Sequence, residues 1–462
     1  MTEPGMSGMA EPGVAEPGMT GMAEPGVAEP GKVRIQIVCP HFEPDVAPTG
    51  LVISEIVRGL VKRGHEVDVV TSLPWYASHA VDEAWRGRII RTERTAWGSI
   101  SRVYPFPTNK RNIAARAVGF GGFTALAGLC SLFRRRRPDV VLAMSPPLTL
   151  GLAAWITSRL RRARLVFNVQ DVFPDVAVAL GAITNRGVIG LLRGLERFVY
   201  RRSAVVTVLS EDLRSNVEAK LVDAVGPTAA AAKVRVIPNF VDTEQIRPQD
   251  RHNSYRAEFG LGSRSVVMYA GNLGFSQPLE LMVEAARELS GRGDVVFVIN
   301  GEGSRRRELE SLAEGLDNVV FVDFQPAERL AEVLAAGDVH VIALRRGLGA
   351  SSVPSKLYSI LAAGRPVLAA LDPGTEVADV VESQGAGIVV AAEDQSLFTA
   401  AVLELVDDAD LAAMGSAGRE FVSRCASPAG VAAAYGELFE ELGRPRVPYK
   451  RRWSRPDLRI GR

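Results

Sequence analysis

Short apolar runs alternate with stretches of helical spacing along most of this chain, and the alternation runs its course once and then begins again. Val33–Val38 is a short apolar run, Leu51–Val61 has helical spacing, and Glu66–Val70 is apolar again. That is a βαβ opening. Further strands are expected at Val140–Ala143, Arg164–Phe167 and Ala204–Val208, with helices at Leu148–Leu160 and Val188–Tyr200 between them. Strands separated by helices form a parallel sheet covered on both faces. After a variable stretch at 226–233 the pattern restarts. Strands are expected at Val266–Ala270, Val295–Ile299, Val319–Val322, Val339–Ala343 and Val367–Ala369. The fold class is α/β with two doubly wound, Rossmann-like domains, 32–230 and 231–425. A chain of 462 residues has length enough for two such cores. A last helix near 428–442, within a segment 426–443, follows the second sheet and is placed to pack back on the first domain.

Two ends stand apart. Residues 1–31 repeat AEPGV and AEPGM with no bulky side chain, so they cannot bury enough surface to fold. A disordered extension is expected there, and no secretory signal, because a basic start before an apolar run is missing. Residues 444–462 hold eight Lys or Arg, one acid, Tyr449 and Trp453. Net charge is only +1, so no global field draws the chain to nucleic acid. Cys39, Cys130 and Cys425 are far apart, with neither disulfide framework nor zinc spacing, which favours a reducing cytoplasm.

Ligands of doubly wound sheets bind beyond the carboxyl ends of the strands. The first strand runs into CPHFEPDVAPTG and a helix, where Gly50 places amides at a helix N-terminus. That is either an anion site or an ordinary strand-to-helix turn. In the second domain Tyr269-Ala-Gly-Asn-Leu-Gly-Phe-Ser-Gln277 and Asn300-Gly-Glu-Gly303 each follow a strand and open a helix. Gly271, Gly274, Gly301 and Gly303 allow close backbone approach, to a phosphate or to another turn. Ser351-Ser-Val-Pro-Ser-Lys-Leu-Tyr-Ser359 puts Lys356 in the first turn of a helix, where a cation opposes the helix dipole. A pyrophosphate at that place would explain the cation. Asn168-Val-Gln-Asp-Val-Phe-Pro-Asp175 follows a buried strand of the first domain. Asp171 and Asp175 are strand-end carboxylates placed to bind a ligand hydroxyl, against the common use of Asp to cap loops. His41 is a further candidate at the same edge, and His65 is expected to be structural.

Taken in order, HFEPDVAPTG, RGHEVDVVT, VLSEDL, VIPNFVD, YAGNLG, GEG and PSKLYSILAAGRPV resemble glycosyltransferase family 4 over nearly all of 32–442. The likeness is greatest to the branch with capsule, colanic-acid and O-antigen sugar transferases, including the fucosamine-transferase type. The resemblance implies a GT-B fold, a retaining reaction and no essential metal or cofactor. The nucleoside-diphosphate sugar would be a co-substrate, a UDP-sugar favoured over a GDP-sugar. It implies donor contacts at Gly271, Asn272, Gly274, Gln277, Gly301, Gly303, Ser355, Lys356 and Ser359, with Asp171, Asp175 and Lys356 in catalysis and His41 on the acceptor side. The chain departs from the pattern where two glutamates are usual and Ser351 and Ser359 stand instead, and where Arg and Lys are usual in the turn that holds Asn272 and Gln277. Lys356 is left as the clearest cation for the diphosphate, with Arg305, Arg345 or Arg346 as assistants.

From Arg94 to Pro138 there is no acid, while 117–133 is uncharged and ends at Arg134–Arg137. A basic, apolar helix lying in a bilayer surface is expected, rather than a full span, with the tail adding cations. The expected partners are a nucleotide sugar and a lipid-linked or glycan acceptor at the inner face of the cell membrane. Two rivals share the fold: a nucleotide-sugar 2-epimerase, which needs no membrane surface, and a non-catalytic nucleotide-sugar-binding partner.

Overall fold

The computed structural model describes residues 31–45, 47–76, 80–107, 113–407, 409–425 and 427–443. The repeat up to residue 30 and the basic tail lie outside them, as do Lys110 and Arg111. Eight strands form the first sheet: β1 (Arg34–Val38), β2 (Glu66–Ser72), β3 (Ile90–Thr95), β4 (Gly98–Val103), β5 (Val140–Ser145), β6 (Arg164–Val169), β7 (Val205–Val208) and β8 (Val234–Val236). Their order is β3-β4-β2-β1-β5-β6-β7-β8. The neighbours are parallel except β3, which runs antiparallel to β4. The second sheet contains β9 (Ser265–Ala270), β10 (Val295–Asn300), β11 (Val319–Val322), β12 (Val339–Ala343), β13 (Val367–Leu371) and β14 (Gly387–Ala391). Its order is β11-β10-β9-β12-β13-β14, all parallel.

The central strands are buried along their whole length, as in Val140–Ser145 and Val295–Asn300, because helices cover both faces. β3, β4, β8 and β14 were not foreseen. β3 alternates half-exposed and exposed side chains at the sheet edge. β4 is buried yet carries Ser99, Ser101 and Arg102, so its apolar signal is weak. β8 lies beyond residue 230, so the first sheet extends further along the chain than the expected boundary.

The helix Pro428–Gly443 joins the first domain. Its Val431, Tyr435, Leu438 and Phe439 share a core with Ile53, Ile56, Val57 and Leu60 of the helix Pro48–Lys62. Burial of each such side chain contributes roughly 1.5–3 kcal/mol. The two helices come close at Gly59, where an added Cβ would stand 2.2 Å from that of Ala432. Tyr435 Oη accepts a hydrogen bond of 2.9 Å from Asn168 Nδ2, which ties the last helix to β6.

In each sheet the strand order reverses at one place, between β1 and β5 in the first and between β9 and β12 in the second. Crevices at such reversals are where ligands of these sheets bind. The loops after β1 and β9 carry His41 and Gly271.

Candidate active site

Two turns at the carboxyl edge of the second sheet lock together through their backbones. Gly271 N donates to Asn300 O at 2.9 Å, Leu273 N to Glu302 O at 2.8 Å, and Arg305 N to Leu273 O at 3.0 Å. Gly301 (φ +147°) could take no Cβ, which would stand 1.9 Å from Gly271 O. At Gly303 a Cβ would stand 2.2 Å from Leu273 O. These two glycines are thus required by turn-on-turn packing. Gln277 Oε1 accepts from Gly274 N at 3.2 Å, and a Cβ on Gly274 would meet Asn272 Nδ2 at 2.7 Å. Asn272 and Gln277 fold the first turn upon itself.

Lys356 opens the helix Lys356–Ala362, after Pro354 and the exposed Ser355. Its side chain reaches back to this turn. Nζ lies 3.4 Å from the ring centroid of Tyr269 and 3.0 Å from where a Cβ on Gly271 would be (φ +150°). Gly271 therefore leaves the space that the ammonium occupies. Tyr269 is itself held by its hydroxyl on Asn272 O at 2.7 Å. Nζ is buried and has no hydrogen-bond partner among the described residues. Burial drives its pKa well below the usual lysine range. A cation over an aromatic ring gains about 0.5–2 kcal/mol, less than burying an unpaired ammonium costs. The position is electrostatically unsatisfied and suits an anion.

The arginines expected to assist are already paired. Arg305 binds Glu280 at 2.6 Å and Glu308 at 2.7 Å. Arg345 binds Glu280 at 2.8 Å and Glu393 at 2.7 Å. Against the effect of burial, its own backbone N–H, hydrogen bonds from both arginines and the charge of Arg305 hold Glu280 below its usual pKa. Arg346 donates to Ala392 O at 3.0 Å. Ser359 sits half-buried one turn after Lys356.

The loop that carries Lys356 also meets the first domain. Asp171, just past β6, forms an antiparallel bridge with Ser352, and its Oδ1 accepts from Ser352 Oγ at 2.7 Å. Val172 N donates to the carbonyl of the buried Ser351 at 2.8 Å. Burial raises the Asp171 pKa, and the Ser352 hydrogen bond opposes the rise. Two helix starts meet at the same seam. Glu376 accepts from Glu211 N at 2.6 Å, and Asp212 accepts from Glu376 N at 2.8 Å. Asp175 does not join them. Its carboxylate binds Lys220 at 2.7 Å and lies 3.8 Å from Arg193, so it neutralises cations of its own domain. The structure removes it from the candidate catalytic set.

Gly50 is corrected likewise. Its amide donates to Ala47 O at 2.8 Å, and an added Cβ would stand 3.1 Å from His41 Cβ. Gly50 lets the helix Pro48–Lys62 approach the His41 loop, and its N–H is not free for a phosphate. His41 Nδ1 lies 2.7 Å from Asp45 Oδ2, a residue the sequence reading overlooked although the i,i+4 spacing of the pair is visible. His65 is buried, with its pKa lowered by burial, and its Nδ1 accepts from Val33 N at 3.4 Å.

In the arginine run after the apolar stretch Arg134 is half-buried, while Arg135, Arg136 and Arg137 are exposed. Arg134 pairs with Asp68 at 2.9 Å, Arg136 binds Glu66, and Arg137 donates to Arg162 O at 2.9 Å. Arg134 and Arg136 thereby tie the run to β2. The helix Ile113–Leu132 shows a different outward feature. Val118, Gly121, Ala125, Leu129 and Phe133 form one exposed stripe, with Val118 at 76%, Leu129 at 54% and Phe133 at 78%. The adjoining helix Thr149–Arg161 exposes Ile156 and Leu160. No helix among the described residues is long and apolar enough to cross a membrane. Among those residues no three His, Cys, Asp or Glu gather as a metal site.

Comparison with known proteins agrees with this layout. Residues 49–239 match the glycosyl transferase 4-like domain, and residues 264–408 match glycosyl transferases group 1. WcaI of Escherichia coli (strain K12), named for glycosyl transfer in colanic acid biosynthesis, is 28% identical over 79% of this chain and 89% of its own. WbjE of Pseudomonas aeruginosa, named as a glycosyltransferase, is 25% identical over 70% and 79%. Among solved structures, sucrose-phosphate synthase from Thermosynechococcus elongatus superposes with a TM-score of 0.68 at 17% identity, covering 89% of this chain and 99% of its own. Anabaena HepE in complex with UDP-glucose gives 0.63 at 14%, covering 88% and 100%. With a glycosyl transferase region on each of its two Rossmann-like sheets, the chain is a glycosyltransferase of the GT-B class.

Proposed function

We propose that the protein is a retaining transferase. It moves a hexosyl or N-acetylhexosaminyl group from a UDP-sugar to a lipid-linked or glycan acceptor in cell-surface polysaccharide synthesis. The observation that carries the donor half is the buried, unpartnered ammonium of Lys356 beside Gly271. As the sugar–phosphate bond breaks, charge grows on the departing diphosphate. A fixed cation in a dry site lowers that barrier without a metal. The names of WcaI and of the HepE complexes with UDP and UDP-glucose support the polysaccharide role and the donor class. Asp171 and Ser352 tie the acceptor-side sheet to the Lys356 loop, so closure of the seam and donor binding act on the same segment.

The acceptor half rests on the outward stripe Val118–Phe133. Such a stripe on a helix without acids suits the interface of an anionic bilayer and a peripheral place at its inner face. A 2-epimerase has no use for this surface. Incubation with a panel of UDP- and GDP-sugars and membrane lipid extract is expected to give labelled lipid and free UDP. Sugar epimerised without acceptor, or no turnover in any combination, would overturn the reading.

A further inference from the structure

We propose that His41, Trp75 and Tyr76 form a subsite for a sugar ring of the acceptor, with the buried Asp45 as its positioning residue. The proposal rests on the transferase reading and adds a place for the acceptor's glycan. β1 and β2 are parallel neighbours, so the loops that follow them leave the sheet at the same edge. β1 also borders the strand-order reversal of the first sheet, where a crevice opens.

Asp45 joins the two loops. It is 3% exposed. One carboxylate oxygen meets His41 Nδ1 at 2.7 Å, and the other accepts from Tyr76 N at 3.1 Å. No lysine or arginine among the described residues pairs with it. A carboxylate can only accept, so the hydrogen of the neutral imidazole sits on Nδ1 and the lone pair on Nε2. Nε2 has no partner among the described residues, and it is not one of the buried polar atoms. It is the ring atom that a ligand can reach. Trp75 stacks on His41 at 5.7 Å between centroids, and Tyr76 meets it edge-on at 5.3 Å. Both residues are half-buried.

An aromatic face beside a fixed acceptor nitrogen is what a pyranose needs. Its C–H face packs on the ring, and one hydroxyl donates to Nε2. β6, which ends two residues before Asp171, lies two strands from β1, about 10 Å along the sheet edge at ~4.8 Å per strand. The subsite and Asp171 therefore share one edge without competing for one atom.

The test is saturation-transfer NMR on the full chain with UDP present, using methyl β-D-glucopyranoside and methyl β-D-galactopyranoside as probes. Calorimetry on the same samples measures UDP affinity. At least one probe is expected to receive saturation from the wild type. Trp75→Ala and His41→Gln should cut that signal at least fivefold, Trp75→Phe should retain most of it, and Asp45→Asn should fall between. UDP affinity should stay within twofold throughout. Silence of both probes on a wild type that binds UDP overturns the subsite and leaves the transferase reading intact. Equal signals from wild type, Trp75→Ala and His41→Gln also overturn it. A wild type that binds no UDP removes the reading on which the subsite rests.

Discussion

The ammonium nitrogen of Lys356 lies 3.4 Å from the ring centroid of Tyr269, and no carboxylate of the described residues pairs with it. Burial alone lowers its pKa. In the unfolded chain it binds its proton more tightly than in the folded one. Stability should therefore rise with pH between the depressed folded value and the ordinary lysine value. Lys356→Met should remove that rise. At neutral pH it should raise Tm by about 2–4 °C, what roughly 1 kcal/mol moves in a domain of 150–250 residues. The same variant should lose turnover about 10²–10³-fold. Thermal melts from pH 6 to 10 beside a transfer assay check both halves. A variant both less stable and fully active would contradict them.

Asp171 is the strand-end carboxylate that the structure keeps at the seam, on Ser352. Asp171→Asn retains a hydrogen-bond acceptor for Ser352 and removes the charge. Turnover should drop about 10²-fold if that charge serves the reacting sugar or the acceptor hydroxyl. Ser352→Ala should cost less than tenfold, since it removes only the partner. Asp175→Asn should act on stability, through Lys220 and Arg193, and leave turnover within threefold. Steady-state kinetics with matched melts separate the three.

The outward stripe predicts where a bilayer is met. Val118→Ser, Leu129→Ser and Phe133→Ser together should weaken flotation with anionic vesicles about tenfold or more and leave UDP affinity unchanged. Each apolar side chain contributes roughly 1.5–3 kcal/mol when fully buried. Arg134→Ser should instead lower stability, because Arg134 holds Asp68 at 2.9 Å. Unchanged flotation of the triple variant would leave the stripe without a bilayer role.

Turnover should persist in excess EDTA, since the charge on the diphosphate is assigned to Lys356. Activity lost to EDTA and restored by magnesium or manganese would show a different mechanism.

The two-sheet plan was legible because buried parallel strands read as continuous Val- and Ile-rich runs, as at Val140–Ser145 and Val295–Asn300. β3 and β4 were not, because β4 polar residues are satisfied by tertiary partners, Ser99 by Asp68 and Ser101 by Arg134. Lys356 was legible from its awkward place at a helix start. What sequence could not show is which cations are already paired. Arg305 and Arg345 looked as free as Lys356 until Glu280 was seen between them. Asp175 and Asp171 lie four residues apart in one loop, and only packing separates the ion-paired residue from the one at the seam. Asp45 was missed because its value lies in orienting His41, a relation that spacing suggests and burial reveals.

Titration of UDP into the wild type and Lys356→Met by calorimetry, at constant pH with EDTA present, tests the central claim most directly. The account predicts wild-type binding, because the diphosphate supplies the anion that Lys356 Nζ lacks. It predicts at least tenfold weaker binding in a variant that remains folded. Equal affinity in the two proteins would contradict it.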